Sequence, residues 1–199
     1  ELWGKVLKAQ PSQHKPAAIA RINEACTVFN AAFRDAIPAL LSHVNTLMQA
    51  LGWRDVELKG FHTPGLTYNS ARLKQNRIIS GQELRPELMF RNYPLPVPQK
   101  FLNEARLSAL ALSIYLAGRL ACTPTAKHDA LKLLVLDDVL IGLDHSNRLP
   151  VLDVLHAHFA DWQIVLLTYD RTWFDLARER LPKDGWACCE IYEGDFAAT

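Results

Sequence analysis

Residues 133–144 read Leu-Leu-Val-Leu-Asp-Asp-Val-Leu-Ile-Gly-Leu-Asp, and no other stretch constrains the fold as strongly. The four apolar residues Leu133 to Leu136 run directly into two adjacent carboxylates, Asp137 and Asp138. An uninterrupted apolar run of this length reads as a strand buried on both faces, as in a parallel sheet covered by helices. The paired acids then sit at the C-terminal end of that strand, where open α/β sheets place their ligand crevice.

The flanking sequence supports an α/β arrangement from residue 99 onward. A helix is expected from Asn103 to Leu120 and a second from Arg148 to Phe159. An apolar strand follows over Gln163 to Leu167, then a helix over Trp173 to Leu181 and a last strand over Trp186 to Tyr192. Strands and helices alternating at this spacing imply parallel βαβ units with right-handed crossovers. Upstream, residues 15–51 carry helical periodicity through Ile19, Ile22, Ala25, Phe29 and Phe33, then Leu40, Leu41, Val44, Met48 and Leu51. Pro16 suits the first turn, Gly52 is a natural stop, and Pro38 is expected to break or kink the helix. Residues 53–91 predict two to four short antiparallel strands around Val56–Leu58, Leu66–Tyr68 and Leu88–Arg91. Pro94, Pro96 and Pro98 predict a stiff extended connector. The expected organisation is a helical arm over 1–52, a small β region with its connector over 53–98, and an α/β lobe over 99–199.

Composition narrows the class without choosing a function. A chain of 199 residues with 49% hydrophobic content can bury a core, and its net charge of +1 provides no global basic field. Arg72, Lys74, Arg77, Arg85 and Arg91 tilt the small β region basic, which suits a solvated face or contact with DNA phosphates. Cys26, Cys122, Cys188 and Cys189 show no metal-ligand spacing, which points to a reduced, cytoplasmic protein. No stretch has the length and apolarity of a membrane span, so no membrane partner is expected. The chain starts at Glu1 rather than Met, which fits a fragment of a longer protein.

The chemistry is concentrated in four short motifs. Paired acids after a buried strand have the form of a Walker B strand, with one carboxylate to hold Mg²⁺ and its neighbour to handle a water. About thirty residues earlier, Asn103-Glu104-Ala105-Arg106 opens an Ala/Leu-rich helix, and a capped helix N-terminus is an anion site. Gly142-Leu143-Asp144 follows the acids as a turn. Thr168-Tyr169-Asp170 ends the next apolar strand, with Asp170 placed to cap the following helix. One further stretch, Gly60 to Thr67, has the glycine spacing of a phosphate-binding loop. It lacks the required Lys, Pro64 removes an N–H, and Leu66-Thr67-Tyr68 continues as strand, so a turn is expected there.

In order and spacing these four motifs resemble the ABC-type ATPase heads of the structural-maintenance-of-chromosomes (SMC) and DNA-repair class. The resemblance covers residues 99 to about 193. It is nearest to bacterial SMC-like ATPases of repair or anti-phage systems. It implies the C-terminal half of a P-loop head, with Asn103, Glu104, Ala105 and Arg106 as the signature that contacts ATP bound on a second head. Asp137 would be the Mg²⁺ ligand, Asp138 the residue that orients water, Asp144 the D-loop acid, and Tyr169 the γ-phosphate sensor. The sequence departs from the pattern at Asn103 (usually Ser), Ala105 (usually Gly), Arg106 (usually Glu or Gln), Asp138 (usually Glu) and Tyr169 (usually His). A shortened base beside a Tyr-for-His switch implies slow or tightly gated hydrolysis.

The resemblance therefore implies ATP and Mg²⁺ as ligands. The partners would be a P-loop-bearing N-terminal lobe, a second head in a homodimer, and DNA. No P-loop lysine stands in a suitable setting in this chain, so hydrolysis by it alone is not expected. The altered motif residues equally suit a degenerate, non-hydrolysing interaction module. A small-molecule enzyme on another doubly wound fold would require the nucleotide motifs to be accidental.

Overall fold

The computed structural model describes residues 2–11, 15–122, 131–140, 142–143 and 145–191. The chain divides into two compact units, residues 1–130 and 131–199. Helices and strands are mixed in an α/β fold, with antiparallel sheets in the first unit and a parallel pair in the second.

In the first unit a short helix α1 (Leu2–Lys8) packs on a long helix α2 (Pro16–Ala50). Thirty-five residues of helix span roughly 52 Å at 1.5 Å per residue. The helix runs unbroken through Pro38, contrary to the expected break. Pro38 and Arg34, whose carbonyl loses its hydrogen bond to the proline, both lie on the exposed side, where water can satisfy that oxygen. Gly52 does stop the helix. Its φ of +86° lets Trp53 N–H reach back to Met48 O at 2.9 Å, the double-bonded turn that commonly closes helices.

Two asparagines on α2, fifteen residues apart, fasten the β region to the helix. Asn45 donates to Leu58 O and accepts from Leu58 N–H, each at 2.9 Å. Asn30 treats Leu66 the same way, at 3.0 and 2.8 Å. Each side-chain amide thus stands in for a neighbouring strand, satisfying backbone groups beyond the sheet ladder. The strands are β1 (Val56–His62), β2 (Thr67–Tyr68), β3 (Ile79–Ser80), β4 (Arg85–Phe90) and β5 (Tyr93–Leu95). They form one antiparallel sheet in the order β1-β4-β5 and a separate β2-β3 pair. The stretch from Gly60 to Thr67 is the end of β1 and a turn with Gly65 at φ +78°, as its missing lysine predicted. Part of the expected proline connector is strand, since Tyr93–Leu95 pairs with β4. Pro94 is tolerated because β5 is an edge strand. A short helix α3 (Pro98–Phe101) then leads into α4 (Glu104–Cys122), which packs against α2.

The second unit is a βαβ unit followed by a helix: β6 (Leu133–Asp137), α5 (His145–His158), β7 (Gln163–Leu167) and α6 (Arg171–Arg180). Strands β6 and β7 are parallel, in register from Leu133↔Gln163 to Asp137↔Leu167. The crossover through α5 is the one the apolar spacing predicted. Two expectations need correction. β6 is buried on one face only: Leu134 and Leu136 are enclosed, whereas Val135 is 48% exposed. A side chain alternates faces along a strand, and the core of Val151, Leu152, Leu155, Phe159 and Trp173 serves only one of them. In addition, Trp186 to Ile191 form no strand. An apolar run becomes a strand only where a partner supplies its ladder, so local composition misleads here.

Candidate functional site

The acid pair lies at the C-terminal end of β6. Asp137 is the last strand residue, paired in register with Leu167, and its exposed side chain has no hydrogen bond or ion pair among the described residues. Asp138 leaves the strand with φ +49°, in the left-handed region that Asp tolerates better than most residues. Its N–H still donates to Leu167 O at 3.2 Å, so the turn begins only after the last rung of the parallel ladder. The turned backbone sends its carboxylate toward the end of β7, where Oδ1 accepts a long, 3.4 Å hydrogen bond from Tyr169 N–H. The structure thus brings together Asp137, Asp138 and Tyr169, with the Tyr169 side chain 76% exposed.

A buried arginine braces the turn after β7. Arg148 is 9% exposed; its Nε donates to Leu143 O at 2.6 Å and its Nη1 to Asp170 Oδ2 at 2.7 Å. Asp170 uses its other oxygen to accept from Trp173 N–H at 3.0 Å, the expected helix cap on α6. The Asp170 N–H in turn donates to Thr168 Oγ1 at 3.1 Å. Arg148 therefore ties the turn after the acids to the turn carrying Tyr169. Nothing local signals this brace beyond an arginine near the start of a helix. Asp144, the expected D-loop acid, lies outside the described residues.

A cavity of about 800 Å³ opens beside the acids, lined by Asp137, Asp138, Thr168, Tyr169, Asp170 and the segment Trp186–Ile191. Sequence reading missed this last contribution by treating residues 186–192 as strand. Glu190 is held there by an ion pair to Arg171. Among the described residues no three acids, histidines or cysteines cluster as a metal site. The exposed Asp137 carboxylate is of the ligand type a hard cation such as Mg²⁺ takes, which is commonly held by one or two carboxylates with phosphate and water completing the shell.

The signature-like segment belongs to the first unit. Asn103 caps α4: its Oδ1 accepts from Arg106 N–H at 3.0 Å, and its C=O accepts from Leu107 N–H at 3.1 Å. Glu104 is exposed in the first turn, where its charge complements the helix dipole, and Ala105 is half-buried. Arg106 turns inward. Its Nη2 donates to Asp55 Oδ2 at 3.0 Å, and its guanidinium carbon lies 5.0 Å from the Trp53 ring centre and 5.7 Å from that of Phe90. Nε is buried with no hydrogen-bond partner.

No protein-family model matches the chain, and no curated protein sequence matches it significantly. Among solved structures, it is similar to a chain from structural biochemistry of ATP-driven dimerisation and DNA-stimulated activation of SMC ATPases. That similarity covers 74% of each chain at 14% identity, with a TM-score of 0.44. Likeness at that level supports no assignment of family or activity. No described helix is long and apolar enough to cross a membrane.

Proposed function

We propose that this chain is the C-terminal part of an SMC-like, ABC-type ATPase head that hydrolyses ATP at a head–head interface and acts on DNA, in repair, chromosome maintenance or anti-phage defence. The observation that carries the reading is the acid pair at the end of a parallel strand, with Asp138 rotated into a left-handed turn toward Tyr169. In this reading 1–52 is a helical arm, 53–98 a small β region and 99–199 the ATPase lobe. Asp137 would hold Mg²⁺, which when bound neutralises phosphate charge. Asp138 would accept a hydrogen bond from the attacking water and orient it in line. Tyr169 would donate its hydroxyl to the γ-phosphate. Asn103, Glu104, Ala105 and Arg106, at the start of α4, would face ATP held by a partner head, and Asp144 would contact that head. A P-loop-bearing lobe would supply the phosphate cradle.

A second reading, a degenerate module that binds partners without turnover, draws support from Arg106. Its charge is already matched by Asp55, which leaves less of it for a phosphate. Mixing the chain with a P-loop lobe and measuring ATP turnover separates the two. The ATPase reading expects Mg²⁺-dependent turnover that falls at least a hundred-fold in Asp138→Asn. No nucleotide-dependent turnover or dimerisation of the wild-type pair would leave the binding-module reading standing.

A further inference from the structure

We infer that the β4–β5 hairpin and α3 form a binding surface for single-stranded nucleic acid, with bases stacked on Tyr93 and Phe101 and phosphates on Arg91 and Lys100. This deepens the DNA side of the proposed function by naming a surface and a strandedness. It does not require that ATP be hydrolysed.

The first observation is the turn. Phe90 and Tyr93 face each other across the ladder, so Arg91 and Asn92 form a two-residue loop, and both have positive φ, +47° and +70°. Such loops favour Asn-Gly, because a Cβ is strained in this region. An arginine at the first position breaks the local rule and persists only where the surroundings hold it. They do so here: Arg91 N–H donates to Asp55 O at 3.0 Å, and its guanidinium carbon stands 5.3 Å from the Phe90 ring centre. The turn thereby presents a cation beside an aromatic face.

The second observation is the surface around it. A cavity of about 560 Å³ is lined by Phe90 to Val97 apart from Asn92, together with Lys100 and Phe101. Tyr93 is 74% and Phe101 58% exposed, although both rings are large and apolar. Phe90 supports Phe101 edge-on, with ring centres 5.0 Å apart at 61°. Aromatic rings left this open beside one another mark a contact surface rather than a core. No carboxylate lines the cavity, and neither Arg91 nor Lys100 has an ion-pair partner among the described residues. Aromatic faces alternating with unpaired cations match a strand whose bases are free to stack and whose phosphates need neutralising. A duplex keeps its base faces stacked against one another and presents base edges and phosphates instead, so exposed rings have nothing to stack on.

The test is fluorescence anisotropy of a labelled fifteen-nucleotide oligo-dT and a duplex of equal length, titrated with the full chain without ATP. The oligo-dT should bind at least ten-fold tighter than the duplex. Tyr93→Ala with Phe101→Ala should weaken it by ten-fold or more, and Tyr93→Phe should not. Arg91→Asn, which suits the turn, combined with Lys100→Gln should flatten the dependence of log affinity on log salt by about 1.4, the value for two phosphates on a single strand. Equal affinity for the two forms overturns the inference, as does indifference to the ring substitutions. A concentration-dependent dimer abolished by those substitutions, with no oligonucleotide binding, would assign the patch to a second copy of the chain. Asp137→Asn should leave oligonucleotide binding unchanged. Failure of ATP turnover with this binding intact therefore removes the ATPase reading alone.

Discussion

Arg148 and Asp170 form a 2.7 Å ion pair that locks the turn after β7 to the turn after the acid pair. The arginine side chain is 10% exposed and that of the aspartate 26%, so the pair is shielded on one side and hydrated on the other. Arg148 also holds the Leu143 carbonyl, and Asp170 also caps α6. The Leu143 carbonyl and the Trp173 N–H thus both depend on this pair.

Replacing Arg148 by Met keeps the bulk but removes the charge-assisted hydrogen bonds to Leu143 O and Asp170. With Asp170 still partly hydrated, the loss should be about 2 kcal/mol. Asp170→Asn should cost about 2–3 kcal/mol, because one amide end cannot accept and either the cap or the arginine contact is lost. Hydrogen exchange over residues 133–180 checks both. Protection unchanged in either variant would show that the pair contributes nothing to the unit.

How far the sequence disclosed this arrangement depends on range. β7 was legible to the residue because Gln163 and Thr168 bracket four apolar positions, Ile164 to Leu167, whose partner strand lies one helix away. β6 and the cap at Asp170 were legible for the same local reason. Features set by distant contacts were not. Arg106 reads as a charge in an anion site, but its partner Asp55 is 51 residues away. Nothing local predicts that Tyr93–Leu95 joins an edge or that Trp186–Ile191 stays unpaired. In the site the acids were evident, whereas Arg148 and the tail lining the cavity depended on tertiary placement.

Arg106 offers a sharper test of that point. Truncation to Ala removes the Asp55 pair and two aromatic contacts, a loss of about 2–3 kcal/mol to the first unit. Met should recover part of it, because it fills the space between Trp53 and Phe90 and deletes the buried, unpartnered Nε. Lys keeps the charge but loses the planar stack and should resemble Ala more than Arg. Urea unfolding of the three variants gives the order, and Met costing more than Ala would contradict the packing account.

The Lys132–Asp161 pair gives the second unit an acid-sensitive element. The Lys132 ammonium, hydrogen-bonded to Asp161, holds its carboxyl below the usual carboxylate range, against an opposing effect of desolvation. Lys132 precedes β6 and Asp161 precedes β7, and Lys132 O also accepts from Gln163 N–H at 2.8 Å. A carboxyl depressed on folding stabilises the fold above its unfolded value of about 3.9, and that contribution is lost as pH falls through the lower folded value. Both side chains are well exposed, so the effect is small and should fade at high salt. Asp161→Asn should flatten the fall in stability as pH drops below the usual carboxylate range, relative to wild type. An unchanged acid limb at low ionic strength would show the pair to be inert.

Asp138 combines strain and proposed chemistry, and the two can be separated by substitution. At φ +49° an alanine pays the left-handed penalty of about 1–2 kcal/mol, whereas asparagine tolerates this region and glycine is at ease there. Among the described residues its carboxylate makes one hydrogen bond, the long one from Tyr169 N–H, and Asn Oδ1 can still accept it. Asp138→Asn should therefore stay within about 0.5 kcal/mol of wild type, and Asp138→Gly should match or exceed it. Asp138→Ala should be the least stable of the three. Denaturant midpoints establish the order independently of any activity. A strained carboxylate that can be removed without loss of stability is held in place by something other than folding, which is what a water-orienting role requires.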